Sequence, residues 1–320
     1  MMKTTRRIAL LTAALCVAFP ALAQTFPDKP VTFIVPFAAG SATDQIARAI
    51  GQAMTEETKQ QVVIDNKPGA NAFIGAQAAA RAKNDGYTVF ITTNTTHAAN
   101  EHLFKKLPYD PVKDFEPVTL LGRGGQILVV NPSLPVNNVQ EFIQHAKAQQ
   151  GKVSFGFGSS SSRVAGELFE QMTGADLVPV PYRSNPLGIT DLLGGQINAM
   201  FTDMATGLPQ VKGGKLKALG VTATKRSPLA PEIPAIAESV PGYESTYWFA
   251  AYVPAGTPQP VVNRLNELLT RAAKSQTAAK FYGPTGTELV VSSPEELRKF
   301  QAAESQKWAR IITAAGIEKE

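Results

Sequence analysis

The chain has 320 residues, 44% of them hydrophobic and 18% charged, which excludes a disordered composition and leaves apolar material for a core or two. Lys plus Arg number 31 against 26 Asp plus Glu, a net charge of +5 with no clustered basic stripe, so no nucleic-acid partner is expected. A single Cys excludes a disulfide framework and a Cys-based zinc site, and 3 His leave little for a His-rich centre, so neither metal nor cofactor is expected.

Residues 1–23 read as a secretory signal peptide. Lys3, Arg6 and Arg7 precede an apolar run over 8–19, and Ala21-Leu22-Ala23 offers the small residues a signal peptidase reads. Pro20 stops the run short of the roughly 20 residues that span a bilayer. Leu15 is too large for the position before a lipid-bearing Cys16. Cleavage after Ala23 removes three basic side chains and leaves a net charge of +2. No later stretch reaches the length of a membrane span, so the mature protein is expected to be soluble outside the cytoplasm, where ATP- and NAD-dependent chemistry is not expected.

Short β-branched or aromatic runs then alternate with Ala-rich helical ones: VTFIVPF (31–37), TDQIARAIGQAMTEET (43–58), QVVIDN (61–66), AFIGAQAAARAK (72–83) and YTVFITT (87–93). That rhythm predicts an α/β fold with a mainly parallel sheet, which binds ligands at the carboxyl ends of its strands. A second set repeats it: strands at 126–131, 152–157, 177–182 and 216–223, with helices at 139–150 and 164–174. Pro228, Pro231, Pro234 and Pro241 crowd the connection before YESTYWFAAYVPA resumes strand character, and the last 60 residues are helical. The order predicts two lobes, 24–125 with 247–320 and 126–246, joined by two crossovers with a cleft between them.

Two loops carry the strongest binding pattern. In VTFIVPFAAGSATDQIAR a strand runs through Phe37, Ala38, Ala39, Gly40 and Ser41 into a helix, so unpaired N–H groups face outward beside the hydroxyls of Ser41 and Thr43, with Asp44 in the first turn. An ordinary capped βα turn reads the same way. VSFGFGSSSSRVAGELF repeats the arrangement with Ser159, Ser160, Ser161, Ser162 and Arg163, whose guanidinium either clamps a carboxylate or decorates the helix. Thr93, Asn94 and His97 end one strand, and Ser184, Asn185 and Asp203 sit at other strand or loop ends; each is either a cleft residue or a structural one. There is no G-x-S-x-G elbow, no HExxH and no P-loop, so no catalytic residue is proposed.

PDKPVTFIVPFAAGSATDQIAR, DNKPGANAFIGAQAAARAKNDGYTVF, YDPVKDFEPVTLLG, AGELF, VPYRSNPLGITDLLGGQINAMF and VPAGTP, in that order from Phe26 onward, resemble the Bug family of periplasmic solute receptors of tripartite tricarboxylate transporters. The resemblance implies a periplasmic, two-lobed, Venus-flytrap receptor, similar to type II periplasmic binding proteins. Its lobes would close on a small carboxylate for delivery to membrane permease subunits, with the two loops as lips and the remaining candidates lining the cleft. Two departures bear on the ligand: Gly40-Ser41 stands where the family has Gly-Gly, and Arg163 replaces a His common there. With Arg163 anchoring a second carboxylate, the expected ligand is a dicarboxylate, aromatic or linear. A monomer is expected. An extracellular hydrolase and a ligand-sensing partner of a sensor kinase are the competing readings.

Overall fold

The computed structural model describes residues 26–320, and the expected signal peptide lies outside the described residues. Strand β1 (Val31–Val35), helix α1 (Ala42–Thr58), β2 (Val62–Asn66), α2 (Phe73–Ala80) and β3 (Thr88–Thr93) follow the predicted rhythm. A π-helical turn, Thr95–Ala99, leads into α3 (Asn100–Leu103), and then β4 (Phe115–Val130) crosses to the second lobe. That lobe contains α4 (Val139–Gln149), β5 (Val153–Phe157), α5 (Ser160–Thr173), β6 (Leu177–Pro181), α6 (Asn185–Leu193), β7 (Ala199–Asp203), α7 (Met204–Lys212) and β8 (Lys217–Val221). The chain returns through β9 (Thr246–Pro254) and ends in α8 (Gln259–Ala273), α9 (Gln276–Thr285) and α10 (Pro294–Ala314).

The two sheets share one plan. In the first, β1 pairs in parallel with β2 and β3, and β3 pairs antiparallel with β9. In the second, β5 pairs in parallel with β6 and β7, and β7 pairs antiparallel with β4. Strand β4 belongs to both, running against β9 from Phe115 to Gly125 and against β7 and β8 from Gln126 to Val130. Parallel strands need a helix to return the chain, so every strand of the β2-β1-β3 and β6-β5-β7 sets ends at the same edge as its neighbours, facing the other lobe.

Helices cover both faces of each sheet. On α1, Ile46, Ile50 and Met54 recur at helical spacing and are fully buried with Leu265, Leu268 and Leu269 of α8 against Phe33, Val35 and Ile91. Each such side chain contributes about 2 kcal/mol by leaving water. Ser41 caps α1 close to the expected start, whereas Ser159 caps α5, which begins at Ser160 rather than at 164 because the Ser159 hydroxyl takes the Ser162 N–H and draws the serines into the first turn. Among the described residues no helix is long and apolar enough to cross a membrane.

Candidate functional site

Strands β1, β5 and β7 each stop at the interlobe edge and hand the chain directly to a helix, α1, α5 and α7, while α6 begins at Ser184 beside them. Four helix N-termini therefore converge on one cavity of about 40 Å³. Phe37, Ser41, Ala42, Thr43 and Thr93 line it from the first lobe, Gly158, Ser159, Ser161, Asn185 and Asp203 from the second, and Gln126, Tyr247 and Phe249 from the crossing strands.

The two lips supply donors. Ser41 Oγ accepts from Asp44 N at 3.3 Å, and Gln45 N bonds back to the Ser41 carbonyl, which leaves Ala42 and Thr43 as first-turn residues without an intrahelical acceptor. In α5, Ser159 Oγ accepts from Ser162 N at 3.2 Å and Arg163 N bonds to the Ser159 carbonyl, leaving Ser160 and Ser161 in the same state. Each helix adds the positive end of its dipole.

Behind the lips lies a hydrogen-bonded frame. Asn185 Oδ1 accepts from Gly158 N at 3.0 Å, and its Nδ2 donates to Asp203 Oδ2 at 2.7 Å. Asp203 Oδ1 caps α7 by accepting from Thr206 N at 2.8 Å. Among the described residues Asp203 is the one charged side chain in the lining, with no Lys or Arg beside it. Tyr247 is buried, which pushes its phenol up and keeps it a neutral hydrogen-bonding group.

Several predicted residues do not line this cavity. Ala39 and Gly40 face solvent, Ala38 is half-buried, and Gly40 N donates to Asp44 Oδ2 at 2.8 Å. Asp44 is buried beneath the loop. Burial pushes its carboxyl up, but hydrogen bonds from Arg48, Gly40 N and Asn66 outweigh that and hold it below the ordinary range. Three of the four serines belong to the first turn of α5: Ser162 Oγ accepts from Gly158 N and Ser159 N, and Ser160 donates to Asn100. Asn94 and Ser184 are fully buried, and their side chains have no protein hydrogen-bond partner among the described residues.

His97 and Arg163 are the larger departures from expectation. His97 is fully buried in the first-lobe core, stacked on Tyr252 at 3.8 Å between ring centres, with Nδ1 2.8 Å from Thr96 Oγ1. Burial pushes its imidazole down to about 3, so it stays neutral. Arg163 points along α5, away from the cavity, and binds Glu167 Oε1 through Nε at 2.7 Å and Glu320 Oε1 through Nη1 at 2.5 Å. It does not sit where it could anchor a ligand's second carboxylate.

Gln126, Tyr247 and Phe249 escaped the sequence reading because they lie on the crossing strands rather than in a small-residue loop. Their signal was the position of Gln126 and Tyr247 at the two expected crossovers, since crossing strands floor an interlobe cleft. Gly158 was visible only as part of a Gly/Ser run; the added Cβ of any other residue would lie 2.2 Å from Asn185 N.

Comparison with known proteins places the chain among relatives of the same architecture. Residues 46–317 match the tripartite tricarboxylate transporter family receptor. The protein BugT of Bordetella pertussis is 32% identical over 313 residues, covering 97% of this chain and 96% of its own. Rpa4515 of R. palustris, solved with adipate, superposes with a TM-score of 0.89 at 33% identity, covering 92% of this chain and 100% of its own. MatC from Rhodopseudomonas palustris, solved with bound malate, gives 0.85 at 29% identity over 90% of this chain and 100% of its own.

Proposed function

The chain belongs to the tripartite tricarboxylate transporter family of receptors, and from that premise we propose that it captures a small carboxylate between its lobes and delivers it to the membrane subunits of such a transporter. The observation that carries this reading is the meeting of the α1 and α5 N-termini across one cavity, with no cation in its lining among the described residues. An acid held by N–H groups and hydroxyls is desolvated and oriented without an ion pair, and it is released when the lobes part.

A dicarboxylate suits the site best. Each lip offers two first-turn N–H groups and hydroxyls enough for one carboxylate, and two similar proteins were solved with the diacids adipate and malate. The lining supports a receptor over a hydrolase, because its serines have no imidazole beside them and Asp203 is committed to Asn185 and Thr206.

A thermal-shift screen of mono-, di- and tricarboxylates, aromatic acids and amino acids tests the proposal. One diacid class is expected to raise the melting temperature and to be recovered unchanged; micromolar affinity at millimolar ligand adds about 4 kcal/mol. Stabilisation by no acid, or recovery of a converted one, overturns it.

A further inference from the structure

Helix α5 presents two surfaces to the first lobe. Its start gives Ser159 and Ser161 to the cavity, whereas the side chains of Ser160, Arg163 and Val164, spaced along one helical face, dock outside it. Ser160 Oγ donates to Asn100 Oδ1 at 2.6 Å, with both residues buried. Asn100 Nδ2 in turn donates to the Asn71 carbonyl at 2.9 Å, inside the left-handed run Ala70, Asn71 and Ala72. Val164 is fully buried in the first lobe's cluster with Ala98, Ala99, Trp308 and Ile312. Arg163 spans from Glu167 on its own helix to Glu320, whose backbone is stitched to the first lobe by Glu320 N to Leu103 O at 2.9 Å and Lys105 N to Glu320 O at 2.7 Å.

These contacts join the lobes without touching the cavity, and they sit on the same rigid helix as the second lip. The lip cannot leave a ligand unless Ser160 leaves Asn100 and Arg163 leaves Glu320. We propose that Ser160, Val164 and Arg163 form a clasp, with Arg163 a positioning residue that sets the balance of closed and open lobes and thereby the affinity for whatever acid is bound; the link to affinity rests on the receptor reading above. Apparent affinity scales with the closed fraction, so a clasp weakens or strengthens every ligand by one factor. Glu320 is 56% exposed, so its pair with Arg163 is a modest one, equivalent to about a two- to fivefold change in affinity.

The test uses the full chain in a Cys16→Ser background with one spin label on each lobe, at the exposed positions Lys83→Cys and Lys212→Cys, and compares the parent with Arg163→Gln, Glu320→Gln and the double variant. Pulsed electron-spin distances on ligand-free protein are expected to shift toward the open form in all three variants. Calorimetry with the acids found by screening is expected to show a two- to fivefold loss that is equal for mono- and diacids, with the double variant no weaker than Arg163→Gln alone. Glu320→Gln keeps the test usable should Arg163→Gln misfold by leaving Glu167 unpaired. Unchanged distances overturn the clasp. So does a loss confined to diacids with Glu320→Gln silent, which would place Arg163 on the ligand. Should no acid bind the parent, the receptor reading falls while the distances still decide the clasp.

Discussion

Gly158 shows how a single missing Cβ builds the site. Asn185 N and the Ser184 carbonyl carbon would both lie 2.2 Å from a Cβ there, so the loop before α6 can approach the end of β5 only because this residue is glycine. The approach lets Asn185 bridge Gly158 N and Asp203. Gly158→Ala is expected to push the α6 start outward, to cost about 3 kcal/mol of stability, and to abolish acid binding. Denaturant unfolding and calorimetry on the variant check both effects, and retained binding would show that the Asn185 bridge is dispensable. The residues misplaced from sequence share one cause: their partners are remote. Arg163 meets Glu320 across 157 positions and His97 meets Tyr252, and although Glu167 lies one turn from Arg163, that spacing alone does not say which way the guanidinium faces.

Helix α5 is polarised. Its start faces the cavity, while its second half carries Glu167 and Glu170 toward the negative end of the dipole, with Asp176 just beyond. Glu170 Oε1 accepts from Leu177 N at 2.8 Å, but burial, with Glu167 and Asp176 adding repulsion, pushes its carboxyl up to about 7. The folded protein thus holds this proton to higher pH than the unfolded chain does. The associated stability is complete below about 4.5, the ordinary glutamate value, and is lost as pH rises through about 7. Glu170→Gln keeps the acceptor for Leu177 N and removes the charge. It is expected to melt about 2–3 °C higher than the parent at pH 8, a gain of about 1 kcal/mol after solvent screening, and to match it at pH 4.5. An equal difference at both pH values would assign the effect to packing instead.

Elements that close on themselves were legible, and those defined by long-range pairing were less so. The strand–loop–helix units of β1-α1 and β5-α5 follow from periodicity and small residues within some twenty positions. Strand β4 did not: Gly122, Gly124 and Gly125 interrupt its apolar pattern, yet it continues to Val130 because β9 pairs along it as far as Gly125 and β7 and β8 take over from there. The stretch 261–283 keeps one helical period in sequence but divides into α8 and α9, where Ser275 caps the second by accepting from Ala278 N.

At the scale of the molecule, two similar half-structures meet over crossing strands, and Tyr247 on β9 borders both the lip cavity and a second cavity of about 530 Å³ behind the strands. Any relative rotation of the lobes must therefore be absorbed next to a residue that lines the ligand site. Trp248, its neighbour, is buried with its indole N–H 3.1 Å from Glu304 Oε2, and Trp308 packs with Val164 of the clasp. The general plan of two donor-rich lips was readable from repeated motifs, whereas the floor and the clasp arise only when distant segments pack.

Amide-resolved NMR of the labelled protein, titrated with the acid that stabilises it, tests most directly whether paired helix starts hold the ligand. The largest downfield proton shifts are expected at the N–H groups of Ala42, Thr43, Ser160 and Ser161, with Arg163 side-chain signals showing no direct contact. Saturable binding that leaves those four amides unmoved, or that shifts the Arg163 guanidinium most, would contradict it.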